Sequence, residues 1–186
     1  VTGFSAGFFH VFTHAWFKAL LFLGAGSVIV ALHHEQDLFK MGGLREKLPI
    51  TFYTMLIGAL CLMGFPGTSG FASKDEILYL TYLHSPTLWG FGVLAAICTA
   101  FYTARLMVLV FAGKPRDLKI FDHAHESPKW ITAPLILLSL GALLAVTLGW
   151  PESFGGHNTV ASWLHSAINY GQSAEPEAHT LQPTLA

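Results

Sequence analysis

Residues 4 to 32 read FSAGFFHVFTHAWFKALLFLGAGSVIVAL, from Phe4 to Leu32. These 29 residues form one apolar run, and a run of about 18 or more is long enough to cross a bilayer as a helix. Three polar groups interrupt its first half: His10, His14 and Lys18, at i, i+4 and i+8. At about 100° per residue, each step of four turns the helix roughly 40° past a full turn, so the three side chains share a stripe about 80° wide. They climb roughly 6 Å along the axis per step. Lys18 has 14 residues of the run on either side (4–17 and 19–32), which puts it near the bilayer midplane. From that depth its stem does not easily reach a headgroup. A cation there normally faces a protein interior or a water-filled path. The stripe is therefore read as part of a proton relay. The competing readings are weaker. A single membrane histidine is often a hydrogen-bonded packing residue, but that leaves the lysine unexplained. A metal site lacks a third ligand at matching spacing, and a haem usually takes its two histidines from different helices.

The composition agrees with a membrane chain. Of 186 residues, 53% are hydrophobic and 11% charged, which is not the balance of a soluble domain. The net charge of −1 offers no basic field for nucleic acid. Cys61 and Cys98 both fall within apolar runs, where a thiol acts as a small hydrophobe, and nothing points to a disulfide framework. The sequence starts at Val1 with neither an initiator Met nor a basic leader region, so it is expected to be a piece of a longer protein.

Beyond the first span (4–32), a polar connector leads to Pro49. The next apolar run, Ile50 to Met63, covers only about 20 Å as a helix and cannot cross alone. It stops at Gly64-Phe65-Pro66-Gly67-Thr68-Ser69-Gly70, too rich in glycine and proline to stay a regular helix. A second helical piece is expected from about Ser73 to His84. The pair reads as one discontinuous transmembrane helix, 50–83 broken at 64–72, an arrangement tolerated where the loosened backbone lies in protein or lines a cavity. The alternative is a re-entrant loop. Further spans are expected at 88–112 and 130–149, the last flanked by Trp130 and Trp150 like interfacial belts. Residues 1–150 thus form a membrane domain. Residues 151–186 form a polar tail in which 160–168 has the pattern of a short amphipathic helix and the last fifteen residues have a disordered composition.

Of the ten Lys and Arg residues, Lys18 and Lys74 fall at membrane depth and Arg105 near a helix end, and the other seven sort themselves by loop. Lys40, Arg45 and Lys47 lie in the first connector, and Lys114, Arg116, Lys119 and Lys129 in the third. The turn at 84–87 and the tail hold none. Seven against zero across alternating loops fits four crossings with 33–49 and 113–129 on the cytoplasmic or matrix side.

Ser73-Lys74-Asp75-Glu76 has the S-x-x-E form of a capping box and is expected to start the second half-helix. Lys74 then meets the positive end of that helix's dipole, with Asp75 and Glu76 pulling the other way. A lysine balanced in this manner suits proton exchange. The Asp122-His123-Ala124-His125-Glu126 cluster reads as an ordinary solvated loop, and the glycine-rich stretch lacks the lysine spacing of a phosphate cradle. Arg105 is placed either against a carboxylate or at the interface.

Several strings are familiar. His10-x-x-Thr13-His14-Ala15-x-Phe17-Lys18-Ala19-Leu20-Leu21-Phe22-Leu23 resembles the helix motif of the antiporter-like membrane subunits of respiratory complex I, the NADH:quinone oxidoreductase. Gly24-Ala25-Gly26-Ser27, Glu35-Gln36-Asp37, Lys40-Met41-Gly42-Gly43-Leu44, Gly70-Phe71-Ala72-Ser73-Lys74-Asp75-Glu76-Ile77-Leu78 and His125-Glu126-Ser127-Pro128 narrow the resemblance to the most distal of them, the subunit L type. It covers about residues 5 to 150. It departs at Pro66-Gly67-Thr68-Ser69, where the family commonly has a more apolar stretch with Pro-Pro, and it matches the tail poorly.

The resemblance implies an all-α, polytopic membrane helix bundle of two inverted five-helix repeats, of which this chain holds the later part of the second. It implies a proton relay through His10, His14, Lys18, Lys74 and Asp75. Electron transfer from NADH to quinone, with its flavin and iron–sulfur clusters, is expected in other subunits, and no cofactor or metal is expected on this chain. The implied partners are other membrane subunits, the lipid bilayer, and protons with internal water, in the bacterial inner membrane. Two other readings are carried beside it: the large subunit of a multi-subunit Na+/H+ antiporter, whose family shares the histidine–lysine core, and a haem-binding or structural scaffold.

Overall fold

The computed structural model describes residues 2–149, 159–160 and 162–164. Every named element is helical: α1 (Thr2–Ala31), α2 (Pro49–Met63), α3 (Ser69–His84), α4 (Pro86–Phe111), α5 (Leu118–His123) and α6 (Lys129–Leu144), the last extended by a 3-10 turn, Ala145–Leu148. Among the described residues, three stretches are long and apolar enough to cross a membrane, Gly3–Ala31, Pro86–Phe111 and Lys129–Leu148, with Pro49–Met63 a shorter apolar helix.

Local chemistry sets the helix ends. His33 and His34 take left-handed backbone, and the His34 N–H donates to the Ile29 carbonyl at 2.8 Å, closing α1. Pro49 and Pro86 sit in the first turns of α2 and α4, where a missing N–H costs nothing. Gly64 ends α2 at φ 78°, a conformation that favours glycine, and the chain turns within five residues. The Thr68 side chain accepts from the Phe71 N–H and starts α3 at Ser69. The interruption is therefore 64–68, shorter than the expected 64–72. The capping box expected at Ser73 is not there, because Thr68 caps the helix earlier and Ser73 lies in its second turn. The connector expected to be merely polar also folds a short helix, α5, capped by Asp117.

The helix α1 lies at the centre, against α2, α3 and α6, while α4 covers α2 and α3. The two shorter helices follow α1 in reverse. Thr51 meets Ser27, Gly58 meets Leu20, Cys61 clusters with Phe17, and Ser73 meets Thr13 and His10. A Cβ at Gly70 would lie 1.7 Å from the Cys61 carbonyl oxygen, so only glycine lets the start of α3 sit on the end of α2. Core residues such as Leu32, Leu44, Leu48, Met55 and Phe111 gather at the connector end. Phe22, Phe101, Trp130 and Leu137 point outward. In lipid that exposure has no hydrophobic cost, and close packing with internal hydrogen bonding holds the helices together.

The two basic connectors meet at one end. Gly43 N–H donates to the Ala112 carbonyl at 3.1 Å, and the Arg116 guanidinium donates to the carbonyls of Leu38, Met41 and Leu109. Arg105 lies over the Phe39 ring, 5.9 Å from its centroid, and pairs with no carboxylate among the described residues. Of the tail, Thr159, Val160 and Ser162 to Leu164 are helical, as the 160–168 pattern predicts. The remainder of that pattern, Trp150 and the composition-based reading of the last fifteen residues lie outside the described residues.

Candidate functional site: a polar junction between the first and third helices

The deepest polar cluster forms where α1 and α3 cross. His10 Nδ1 lies 2.9 Å from Ser73 Oγ, and Thr13 Oγ1 lies 3.0 Å from the same oxygen. Ser73 also reaches its own helix, 3.0 Å from the Ser69 carbonyl, and Thr13 reaches the His10 carbonyl at 3.1 Å. Thr13 and Ser73 are both fully buried. A hydroxyl has one hydrogen and two lone pairs, so Ser73, with three polar neighbours, can donate in only one direction at a time. Each choice fixes which atom of His10 carries a proton.

Lys74 follows Ser73 in the chain and points elsewhere. Its Nζ donates to the Leu62 carbonyl at 2.8 Å, in the last turn of α2. The final carbonyls of a helix lack intrahelical partners and carry the negative end of its dipole. Lys74 thus sits on the negative end of α2, not on the positive end of its own helix. The expectation fails because α3 begins five residues earlier than the capping box implies, with Thr68 in place of Ser73 as its N-cap. The glycine-rich turn brings α2's exposed carbonyls under the lysine.

His14 is half-buried, its ring 5.8 Å from that of His10 and 5.3 Å from that of Phe17. Lys18 lies one turn on, its Nζ 5.5 Å from the Phe22 ring centroid. It lines a 180 Å³ cavity between α1, α2 and α4, with Met55, Tyr102 and Thr103 among the other walls. Asp75 is exposed, and no contact joins it to Lys74 among the described residues. Of the five expected residues, the structure brings His10 and His14 together, sets Lys74 next in the chain to the hydroxyl partner of His10, puts Lys18 on a neighbouring cavity and leaves Asp75 outside. Sequence reading missed Ser73 and Thr13. Thr13 has a usable signal, since a residue three after His10 shares its helix face. Ser73 was legible only as a cap.

A second polar cluster was missed altogether. Glu126 accepts from the Ile50 N–H at 2.7 Å, the Thr51 N–H at 3.3 Å and the Thr51 hydroxyl at 2.7 Å. Thr51 lies 2.9 Å from Ser27, and Ser27 lies 2.7 Å from Ser127. A carboxylate expected to be solvated instead caps α2 from the far connector, neutralising its orphan N–H groups.

Known proteins bear on these clusters. Residues 1–103 match the family described as NADH:quinone oxidoreductase/Mrp antiporter, transmembrane. The chain belongs to this family. The match spans α1 to most of α4, including all five candidate residues, and stops short of Glu126. The NADH-quinone oxidoreductase subunit L of Rickettsia bellii is 50% identical over 151 residues, covering 81% of this chain and 23% of the relative. The NADH-ubiquinone oxidoreductase chain 5 of Allomyces macrogynus is 47% identical over 143 residues, covering 74% of this chain and 22% of the relative. The chain thus spans under a quarter of these relatives' length. A solved structure of the Mrp complex from Dietzia sp. superposes with a TM-score of 0.70 at 21% identity, over 91% of this chain and 39% of that one, which establishes a shared fold. This member of the NADH:quinone oxidoreductase/Mrp antiporter family is an integral membrane protein with an all-helical bundle, as the apolar runs predict.

Proposed function

We propose that the chain is part of a proton-translocating membrane subunit of respiratory complex I, moving protons along a buried axis while NADH-to-quinone electron transfer runs in other subunits. The observation that carries this is the junction of His10, Thr13 and Ser73 across two helices, with His14 one turn away and Lys74 beside Ser73 on the end of α2. Lys18 passes a proton toward His14 and His10. The Ser73 hydroxyl links that stripe to α3, and Lys74 releases the proton to the opposite side from the basic connectors. In this reading α2 and α3 are the halves of one discontinuous transmembrane helix, whose break frees the Leu62 carbonyl for Lys74. Asp75, exposed on the next residue, serves as an acceptor on the release side. Redox cofactors belong to partner subunits, and none is assigned to this chain.

The seven basic residues of the two joined connectors favour the bacterial cytoplasm for that end. Names at 46–50% identity, all NADH-quinone oxidoreductase subunit L, support complex I over a sodium–proton antiporter. The deciding experiment places Lys18→Ala in the chain's native membrane assembly, reconstituted in vesicles. NADH-driven internal acidification is recorded beside NADH oxidation by a quinone analogue. Acidification is expected to fall while assembly stays normal. Wild-type rates in both would overturn the relay. Sodium-dependent exchange without NADH would establish the antiporter instead.

A further inference from the structure

Thr103 differs from the other threonines of its layer. Thr81 and Thr99 each turn their hydroxyl onto the carbonyl four residues earlier, Ile77 at 2.7 Å and Ala95 at 2.8 Å. A helix ordinarily satisfies a threonine in apolar surroundings in this way. Thr103 is one turn beyond Thr99 on the same helix and does not do so. It is only 4% exposed, and its Oγ1 has no hydrogen-bond partner, alone in this among the buried side-chain polar atoms of the described residues. It lines the 180 Å³ cavity that Lys18 also lines. Lys18 in turn makes no hydrogen bond among the described residues; its Nζ lies 5.5 Å from the Phe22 ring centroid, and its charge is felt at His14.

Lys18 and Thr103 therefore border one space, and the wall they share is almost wholly apolar with the side chains as they stand. An ammonium has three donors and no acceptor, whereas a hydroxyl offers two lone pairs. The cavity is several times the ~30 Å³ share of a single water, and two polar partners are the minimum an internal water requires. Apart from Tyr102, the other walls are apolar, so little competes for the ammonium. A second cavity shares Ala25, Met55 and Leu106 with the first and reaches Gln36 in the basic connector.

We infer that Thr103 is a positioning residue for Lys18: its hydroxyl accepts from the lysine ammonium, directly or through one water, and draws the side chain toward α4 and away from His14. Lys18 then has two stations, one on the histidine stripe and one on the α4 hydroxyl. The inference rests on the reading of Lys18 as a proton carrier.

Three substitutions at one position separate hydroxyl from packing. Thr103→Val keeps the shape and loses the hydroxyl, Thr103→Ser keeps the hydroxyl, and Thr103→Ala loses both. Each is placed in the native membrane assembly, with Lys18→Ala in parallel, and vesicle acidification per NADH oxidised is measured. Thr103→Val and Thr103→Ala are expected to lower that ratio roughly three- to ten-fold, the rate equivalent of one hydrogen bond, while Thr103→Ser stays close to wild type. If Thr103→Val matches wild type while Lys18→Ala does not, the inference about Thr103 fails alone. If Thr103→Ser falls as far as Thr103→Val, the side chain acts by packing and the inference again fails. Should Thr103→Val not assemble, the Ser and Ala variants decide: Ser above Ala supports the inference, and equal values overturn it. Normal pumping in Lys18→Ala would remove the relay itself, and this inference with it.

Discussion

The two ends of α1 are tied to their neighbours by buried hydroxyls, yet the two knots differ in kind. At the connector end, the Thr51 hydroxyl donates to Glu126, Ser27 links Thr51 to Ser127, and the carboxylate also takes two backbone N–H groups at the start of α2. An ionised carboxylate only accepts, so the Thr51 hydroxyl and the backbone N–H groups around Glu126 are held as donors to it. At the other end, His10 and Thr13 share Ser73, where hydroxyls and an imidazole can each donate or accept. That cluster has several arrangements of similar geometry. The same residue types are held by a carboxylate at one end and left free to donate or accept at the other, which is the difference the proposed relay needs.

The sharpest way to break the comparison is to move one knot bodily. Gly70→Ala drives a Cβ into the Cys61 carbonyl, 1.7 Å away, and backbone cannot yield as a side-chain tip can. It is expected to destabilise by about 3 kcal/mol and to uncouple Ser73 from His10. A thermal melt of the detergent-solubilised assembly reads the first effect, and loss of acidification per NADH the second. If the melt and the pumping both survive, α3 is not seated on α2 as described.

Next in size, Glu126→Gln keeps an acceptor but loses the charge that faces two helix N–H groups. About 1–3 kcal/mol of stability is expected to go, with pumping per NADH unchanged in what assembles. Reduced pumping at unaltered melting would mean that the Glu126 cluster is itself part of the relay. Ser73→Ala should show the reverse pattern. It costs about 1 kcal/mol or less in the melt, because Thr13 keeps its bond to the His10 carbonyl and His10 is only half-buried, yet lowers acidification several-fold. Unchanged acidification would demote the α1–α3 junction to packing.

The smallest effect lies outside the membrane. Lys40 donates to Glu35 at 2.8 Å, and the Gln36 and Asp37 N–H groups donate to the other oxygen. First the lysine and then these N–H groups hold the Glu35 carboxyl at about 2, below its usual 4.5. A depressed carboxylate contributes order above its unfolded value and loses it as pH falls through the folded one. The connector turn is therefore expected to hold at neutral pH and loosen between pH 4.5 and about 2. Lys40→Gln should move the Glu35 titration, followed by NMR, back toward 4.5. No movement would leave the backbone N–H groups as the whole cause.

Much of this was legible in the chain. The run from Phe4 to Leu32 determined a membrane helix, because apolar length is a property of sequence alone. The spacing of His10, His14 and Lys18 determined a shared face, because helix period is fixed. The gathering of Lys and Arg in two connectors anticipated that those connectors lie at one end, where they now hydrogen-bond to each other. What sequence could not supply was partnership between elements. Ser73 looked like a cap and proved to be the hydroxyl under His10. Glu126 looked solvated and proved to cap a helix 75 residues earlier, and Lys74 met the opposite dipole from the one expected. In each case local pattern states what a residue can bond, while the crossing of helices decides which bond is made. A buried polar group takes the partner that tertiary packing brings within reach, since leaving it without one costs more than any local preference returns.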